Sequence, residues 1–313
     1  MKTNRPGYFD LQVNGFAGLD FNADELEADA LHAACAALAA GGVEGILATI
    51  ITDHVEIMER RLMRLAQLRG RDALASRLIA GIHIEGPFIN EREGYRGAHP
   101  VDAIRSADVG CMARLLAAAD GLARLVTLAP ERDPGLRVTR MLAGQGIVVA
   151  AGHTDAGLDD LRAALDVGLT MVTHLGNGCP PMMPRHDNII QRTLSLADRL
   201  WLCFIADGVH IPFFALRNYL HVTGYAQAIV VTDAMAAAGL GPGSYRLGRR
   251  TVEVGADLVA RADAQGTLAG STGTMARSER NLREVLGLPE AVTQALLVDN
   301  PRRAIGHGVF TEN

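Results

Sequence analysis

Gly45-Ile-Leu-Ala-Thr-Ile-Ile51 and Leu78-Ile-Ala-Gly-Ile-His-Ile-Glu85 are short apolar runs on either side of an amphipathic stretch, Val55–Leu68. Their short length and their many β-branched residues indicate buried strands. In the stretch between them the apolar residues recur at intervals of three and four, as in a helix with one buried face. The unit therefore predicts a strand, a helix and a second strand parallel to the first.

The same alternation continues along most of the chain. The predicted strands are Tyr8–Val13, Gly45–Ile51, Leu78–Glu85, Leu125–Ala129, Ile147–His153, Met171–His174, Leu200–Ala206 and Ala228–Thr232. The predicted helices include Asp24–Ala40, Val55–Leu68, Gly110–Ala119, Gly157–Val167 and Pro212–Val222. Eight strands that alternate with helices predict an α/β protein whose parallel sheet closes into a (β/α)8 TIM-like barrel. An open doubly wound sheet is the competing architecture, but no G-x-G-x-x-G follows the first strand, so a dinucleotide-binding fold has no support.

The segment after the eighth predicted strand is rich in glycine and departs from this alternation. Two β-like pieces, around Tyr245–Leu247 and Thr251–Val254, predict an inserted hairpin near residues 240–270. A last helical region, from Thr274 to about Ile305, is expected to close the barrel. No linker or internal repeat divides the chain, so we expect residues 1–313 to form a single catalytic barrel domain.

The composition is that of an ordinary globular protein, with 49% hydrophobic residues, 21% charged residues and a formal net charge of −5. No basic run is interleaved with aromatic residues, so we expect no nucleic-acid partner. No apolar stretch reaches the roughly 18 residues that a membrane span needs, and the N-terminus lacks the apolar core of a signal peptide. The four cysteines are widely spaced without a C-x-x-C pair, which predicts free thiols and a cytoplasmic protein.

Lys2 is the only lysine among the 30 basic residues of the chain, and the others are arginine. Chain termini are usually poorly ordered, so Lys2 is a poor candidate for catalysis. A Schiff-base lysine and a carbamylated lysine between two metals are therefore both disfavoured. A metal-free barrel lyase or aldolase is disfavoured with them.

Polar residues that suit chemistry follow five of the predicted strands. The segments are His83-Ile-Glu85, Gly152-His-Thr-Asp155, Thr173-His-Leu-Gly-Asn177, Asp207-Gly-Val-His210 and Thr232-Asp233. A lone histidine after a strand is usually structural. In a barrel, however, all these strand ends open into one mouth, where functional side chains gather. Five such ends together predict an active site.

One glutamate and two histidines from different strands, Glu85, His153 and His174, match the ligand set of a catalytic zinc site that keeps an open position. A metal in such a site activates water and polarises a substrate carbonyl. A neighbouring carboxylate takes the proton of that water and later returns it to a leaving amine. Asp233 is our candidate for this carboxylate.

At these residues the chain resembles the N-acetylglucosamine-6-phosphate deacetylases of the amidohydrolase superfamily. The segments that carry the resemblance, in the family's order, are Asp10-Leu-Gln-Val-Asn-Gly15, His83-Ile-Glu-Gly-Pro-Phe88, Gly97-Ala-His-Pro100, Gly152-His-Thr154, Thr173-His-Leu-Gly-Asn177, Ala206-Asp-Gly-Val-His210, Val231-Thr-Asp-Ala-Met-Ala-Ala-Ala-Gly239 and Leu268-Ala-Gly-Ser271. They span nearly the whole chain, and Val231–Gly239 is the most specific of them. The resemblance implies a metal-dependent amidohydrolase barrel.

The resemblance also implies roles for individual residues. The metal ligands are then Glu85, His153 and His174, and Asp233 is the general base and acid. His210 resembles the residue that helps to polarise the acetyl carbonyl.

Four further residues resemble the family's substrate contacts. His99 stands where a histidine contacts the sugar, and Asn177 and Gly178 stand where backbone amides hold part of the phosphate. Arg185, eight residues beyond Asn177, stands where the family has a phosphate-binding arginine. The guanidinium fork suits this task because it grips a phosphate through two hydrogen bonds.

Two departures from the family pattern matter. Many amidohydrolases have H-x-H at the end of the first strand, which supplies a second metal, whereas this chain has Gln12-Val-Asn14. Amides are poor zinc ligands, so we expect one divalent metal per chain, zinc in the first place and Fe²⁺ as the alternative. Family members also carry a small β-sandwich built from both ends of the chain, and we expect it to be missing here. Homodimers are common in the family, so a homodimer is the assembly we expect if the chain associates.

The expected reaction is hydrolysis of the acetamide of N-acetylglucosamine-6-phosphate to glucosamine-6-phosphate and acetate. Another N-acyl amino-sugar phosphate, such as the galactosamine or mannosamine isomer, stays open as the substrate, because the residues named above do not distinguish sugar epimers. A non-catalytic sugar-phosphate sensor on the same scaffold is a second alternative. The presence of Asp233 argues against the sensor, which needs no proton-shuttling carboxylate.

Overall fold

The computed structural model describes residues 6–263 and 266–306, so Lys2 lies outside the described part. Eight parallel strands form one sheet in which the strands follow each other in chain order. They are β1 (Tyr8–Val13), β2 (Val43–Ile51), β3 (Ile79–Glu85), β4 (Ala123–Leu128), β5 (Val148–Ala151), β6 (Leu169–Val172), β7 (Trp201–Ile205) and β8 (Ala228–Val231). All eight predicted strands are present, and the predicted barrel fold is confirmed.

Helices follow the strands and cover the outside of the barrel. They are α1 (Ala28–Ala40), α2 (Val55–Arg71), α3 (Ala73–Leu78), α4 (Val109–Ala118), α5 (Arg137–Gly144), α6 (Leu158–Asp166), α7 (Ile189–Leu194), α8 (Phe213–Thr223), α9 (Met275–Arg280), α10 (Glu290–Gln294) and α11 (Asn300–Ala304). We did not predict α3, α5 and α7, because six to eight residues give too few turns for a clear apolar period. The last helical region continues through two π-helical turns, Asn281–Val285 and Ala295–Asp299. No helix in the described part of the chain has the length and apolar character to cross a membrane.

The interior of the barrel is packed with apolar side chains from seven of its strands. They are Phe9, Leu11, Leu47, Leu125, Ala150, Met171, Cys203, Ile205, Ile229 and Val231. A larger apolar cluster lies between the strands and the helices. Because the barrel centre is filled, the polar strand ends are left as the place where a small molecule can be bound.

The barrel closes between its first and last strands through side-chain and loop contacts. The backbone N–H of Asn14 donates to the carbonyl of Ala234 at 2.7 Å, in a parallel bridge between Val13 and Ala234. The buried Asp10 carboxylate accepts from the backbone N–H of Thr232 at 3.2 Å and from its hydroxyl at 2.5 Å. Burial raises the pKa of Asp10 to about 7, although these hydrogen bonds oppose the shift.

The predicted hairpin consists of two antiparallel strands, β9 (Gly243–Leu247) and β10 (Arg250–Val254). Its buried face packs over the mouth of the barrel, against Met235 among others. The tip residue Arg249 forms ion pairs with Asp53, which follows β2, and with Asp102, three residues beyond His99. The hairpin therefore holds the loop that carries His99.

Candidate active site

Three of the predicted site residues lie just beyond their strands, with a backbone that side chains rarely adopt. The φ angles of His153, His174 and Asp233 are 51°, 26° and 51°. We predicted that β5 and β6 extend to His153 and His174, but both strands end two residues earlier. The apolar run indicates a strand, but it does not reveal the change in φ that ends the strand and turns the histidine.

Glu85 is the centre of a buried cluster at the mouth. Its Oε1 lies 3.1 Å from Nε2 of His174 and 3.4 Å from Nε2 of His153. All three side chains are less than a tenth exposed. The structure thus brings together the three residues for which we predicted a metal.

The ring of His153 has a fixed orientation. Its Nδ1–H donates to the carbonyl of Tyr95 at 2.8 Å, which leaves Nε2 toward Glu85. Gly178 lies against the same ring, since a Cβ at that position would meet Nδ1 of His153 at 2.7 Å. Any larger residue at position 178 would therefore displace the histidine.

His99 lies closer to this cluster than its predicted role as a sugar contact implies. Its Nε2 is 3.2 Å from Nε2 of His153 and 3.9 Å from Oε2 of Glu85. Among the described residues, Glu85, His99 and His153 have ligand atoms that all lie within 4.8 Å of one another. Burial, with the charge of His153, lowers the pKa of His99 to about 3, so the ring is neutral. Sequence spacing gave no signal for this contact, because His99 belongs to a loop.

Two amides of β1 and the loop after it hold the two site carboxylates. The Gln12 amide donates to Oε1 of Glu85 at 3.0 Å and accepts from the Thr173 hydroxyl at 2.6 Å. The Asn14 amide donates to Oδ1 of Asp233 at 2.7 Å. These residues stand where many amidohydrolases have their H-x-H pair, and here they orient carboxylates through hydrogen bonds.

The two carboxylates have opposite pKa shifts. Burial alone would raise the pKa of Glu85, but hydrogen bonds from His153 and His174 hold it well below its usual range. Burial raises the pKa of Asp233 to about 6, against the lowering effect of His174. Glu85 is therefore a permanent anion suited to a cation, and Asp233 gains and loses a proton near neutral pH.

His83 lies under the cluster on β3 and is fully buried. Its Nε2 is 2.7 Å from the Thr127 hydroxyl, and burial lowers its pKa to about 4. It is a neutral packing residue with a hydrogen bond.

His210 is oriented by Asp207. The ring Nδ1–H donates to Oδ2 of Asp207 at 2.7 Å, so Nε2 is the nitrogen that remains for a substrate. The charge of His210 is also one of the effects that lower the pKa of Asp233. The carboxylate of Asp155, in contrast, pairs with Arg92 and Arg192 and not with a site histidine.

The predicted phosphate residues lie on the loop after β6. The Asn177 backbone and side-chain N–H groups both donate to the carbonyl of His174, at 2.9 and 3.2 Å. Gly178 follows with a φ of 60°. Arg185 is exposed, and no residue in the described ranges forms an ion pair or hydrogen bond with it. The structure therefore does not bring Arg185 into contact with the cluster.

The mouth offers a donor set that suits a divalent metal, but the described residues whose ligand atoms all lie within 4.8 Å of one another are Glu85, His99 and His153, without the predicted His174. Two ligands about 2.0–2.2 Å from one tetrahedral zinc lie about 3.3–3.6 Å apart. Of the separations around Glu85, the 3.4 Å to His153 lies in this range and the 3.1 Å to His174 is slightly shorter. The donor set of one carboxylate and imidazoles is also one that zinc and iron accept.

Comparisons with known proteins identify the family of this chain. No family model matches the chain. The N-acetylglucosamine-6-phosphate deacetylase of Bos taurus is 34% identical over 291 residues, which cover 90% of this chain and 69% of the relative. The N-acetylgalactosamine-6-phosphate deacetylase of Escherichia coli O157:H7 is 31% identical over 301 residues, 96% of this chain and 78% of the relative. The crystal structure of N-acetyl-D-glucosamine-6-phosphate deacetylase from Mycobacterium smegmatis superposes with a TM-score of 0.87 at 34% identity, covering 96% of this chain and 78% of that one. The chain belongs to the N-acetylglucosamine-6-phosphate deacetylase family.

Proposed function

We propose that the protein hydrolyses the acetamide of N-acetylglucosamine-6-phosphate, releasing acetate and glucosamine-6-phosphate. The observation that carries the proposal is the buried group of Glu85, His153 and His174 at the mouth of a barrel whose relatives bear this activity in their names. A carboxylate with a pKa near neutrality, Asp233, lies at the same mouth.

Glu85, His153 and His174 are the residues proposed to hold one divalent metal, zinc in the first place and Fe²⁺ as the alternative. When bound, such a metal polarises the acetyl carbonyl and lowers the pKa of a water molecule. Glu85 contributes the negative charge that this site needs, and Gln12 fixes its orientation through the 3.0 Å hydrogen bond. The Tyr95 carbonyl accepts the Nδ1–H of His153, so Nε2 is the ring nitrogen that would bind the metal.

Asp233 is proposed to move the proton. Its Oδ1 is held by Asn14, so Oδ2 is the oxygen available to a water molecule. As the water oxygen bonds to the acetyl carbon, Oδ2 takes the water proton. Asp233 then gives this proton to the amide nitrogen as the carbon–nitrogen bond breaks, which restores the carboxylate and releases the amine.

His210 is proposed to stabilise the oxygen of the acetyl group as negative charge develops on it. Its Nδ1–H is directed at Asp207, and an Nε2–H would donate to the substrate oxygen. When both ring nitrogens carry protons, the negative charge of Asp207 compensates the positive charge of the ring. Fixed donors of this kind stabilise a developing oxyanion without reorganising during the reaction.

Substrate recognition is proposed to rest on His99 for the sugar and on Asn177, Gly178 and Arg185 for the phosphate. Arg185 is free of carboxylate partners within the described residues, so its guanidinium is available for an anion. Binding the phosphate would place the acetamide over the cluster and supply orientation.

The test is acetate release from N-acetylglucosamine-6-phosphate by protein of known metal content. N-acetylglucosamine and N-acetylgalactosamine-6-phosphate are assayed beside it. We expect turnover of the phosphorylated glucosamine derivative, with about one metal per chain. Arg185→Gln should raise KM for the phosphorylated sugar only, while Arg162→Gln, a change at an exposed helical arginine, serves as the matched control.

Three outcomes would change the proposal. Faster turnover of the galactosamine derivative would move the substrate to that epimer, which the similarity to the Escherichia coli protein favours as the second candidate. An equal effect of Arg185→Gln on both glucosamine substrates would remove Arg185 from the phosphate site. Binding of the sugar phosphate without acetate release would contradict catalysis and favour a sensor.

A further inference from the structure

The turn that carries His153 needs support from outside its own segment. His153 is buried and has a φ of 51°, in the left-handed region that side chains rarely adopt. Such a backbone persists only where the surrounding structure holds it. The question is therefore which groups fix this turn.

The loop after β3 supplies two of the contacts. The backbone N–H of Asn90 donates to the carbonyl of His153 at 2.9 Å, and the carbonyl of Tyr95 accepts from Nδ1 of the ring at 2.8 Å. These two bonds join the backbone and the ring of His153 to one loop. They can orient His153 only if that loop is itself held in place relative to the end of β5.

Glu131, in the short turn Pro130–Arg132 after β4, makes that connection. Its Oε1 accepts from Nδ2 of Asn90 at 2.8 Å and from the backbone N–H of Asp155 at 2.8 Å. Its Oε2 accepts from the hydroxyl of Thr154 at 2.5 Å. One carboxylate thus joins the segments that follow β3, β4 and β5, next to His153.

We propose that Glu131 is a positioning residue for the metal site, acting through the turn that holds His153. It does not contact Glu85 or the other imidazoles, and it is not a catalytic residue. Loss of its three hydrogen bonds leaves the Asn90 amide, the Thr154 hydroxyl and the Asp155 backbone N–H without this acceptor, and the His153 turn relaxes out of the left-handed conformation. Nε2 of His153 then loses its position 3.4 Å from Glu85. This inference rests on the metal site of the proposed function.

The test compares zinc affinity of the full-length protein and its variants by competition with a chromophoric chelator. Glu131→Ala should bind zinc about tenfold or more weakly, as for other residues that orient a metal ligand indirectly. Glu131→Gln should recover most of the affinity, because its carbonyl oxygen accepts from Asn90 and Asp155 and its NH₂ donates to Thr154. Glu91→Gln is the matched control, since Glu91 is exposed and, within the described part of the chain, pairs only with Arg132.

A second measurement separates positioning from general stability. The rise in Tm on adding zinc should be smaller in Glu131→Ala than in the wild type, and the visible spectrum of bound Co²⁺ should change. Thr154→Val, which removes one donor to Glu131, should shift both quantities in the same direction and decides the matter if Glu131→Ala does not fold.

Equal falls in Tm with and without zinc, at unchanged zinc affinity, would show a merely structural residue and overturn the inference. If the wild-type protein binds no zinc, the proposed metal site fails and the inference fails with it. If the wild type binds zinc and Glu131→Ala binds it as tightly, only the inference is overturned.

Discussion

The hydrogen bond from Asn14 to Asp233 gives a prediction that the structure makes quantitative. The Asn14 amide is buried and donates to Oδ1 of Asp233 at 2.7 Å. Burial raises the pKa of Asp233 to about 6, while His174, His210 and, after them, the Asn14 hydrogen bond lower it. Asn14→Leu removes the donor and keeps water out of the space.

The size of the effect follows from the strength of that bond. A hydrogen bond to a charged group contributes about 1.5–3 kcal/mol, and about 1.4 kcal/mol corresponds to one pKa unit. The substitution should therefore raise the pKa of Asp233 by about 1–2 units, from about 6 to about 7–8. The ionised fraction at pH 7 then falls from about 90% to about 10–50%. Only the carboxylate accepts a proton from water, so kcat at pH 7 should fall about two- to tenfold and recover by about pH 9.

The assay is kcat for acetate release measured from pH 5 to pH 9, from which the acid limb gives the apparent pKa. A bound divalent cation lowers this pKa in both proteins, so the difference between them is the quantity to compare. Asn218→Leu, at an exposed position on α8, is the matched control. An acid limb that does not move in Asn14→Leu would refute the reasoning. A loss of activity that persists at pH 9 would show that Asn14 acts in some other way.

Three further predictions concern groups around the same barrel. Asp233→Asn should lower kcat by about 10²–10⁴-fold with unchanged metal content, which turnover and metal analysis check together. Gln12→Leu should weaken zinc binding by about tenfold or more in a chelator competition, because Glu85 loses a donor and the Thr173 hydroxyl loses its acceptor. For Asp10 the folded-state pKa of about 7 lies above the unfolded value of 3.8, so the wild type loses stability as pH rises between these values. Asp10→Asn has no such loss, and in urea unfolding its stability relative to the wild type should be about 2–3 kcal/mol more favourable at pH 8 than at pH 5. A pH-independent difference would contradict the assigned pKa.

Strand positions were predictable because each barrel strand is a short buried run whose apolar residues stand next to turn residues. β1 was predicted with its observed bounds, and the hairpin after β8 with bounds close to the observed ones. The short helices α3, α5 and α7 were missed, because a helix of two turns has little periodicity of its own. Their helical state depends on packing against the barrel.

The types of side chain at the mouth could also be predicted from the sequence, since parallel strands in a barrel bring their carboxyl ends to one side. The sequence alone is therefore enough to group Glu85, His153, His174 and Asp233. Whether each residue has the role that the resemblance implies remains a prediction. Arg185 in particular lies on an exposed loop without a contact to the cluster.

Only the tertiary structure decided which groups meet across the mouth. The approach of His99 to His153, the Gln12–Glu85 hydrogen bond and the bridging position of Glu131 join segments that are 23 to 73 residues apart. Loops carry no periodicity from which such contacts could be read, and the direction of each side chain depends on a local φ that neighbouring segments impose. By itself, the sequence determined the barrel and the chemical types at its strand ends, because burial and alternation are local. The distances and the pKa values were decided by the folded chain, because they depend on groups that only folding brings together.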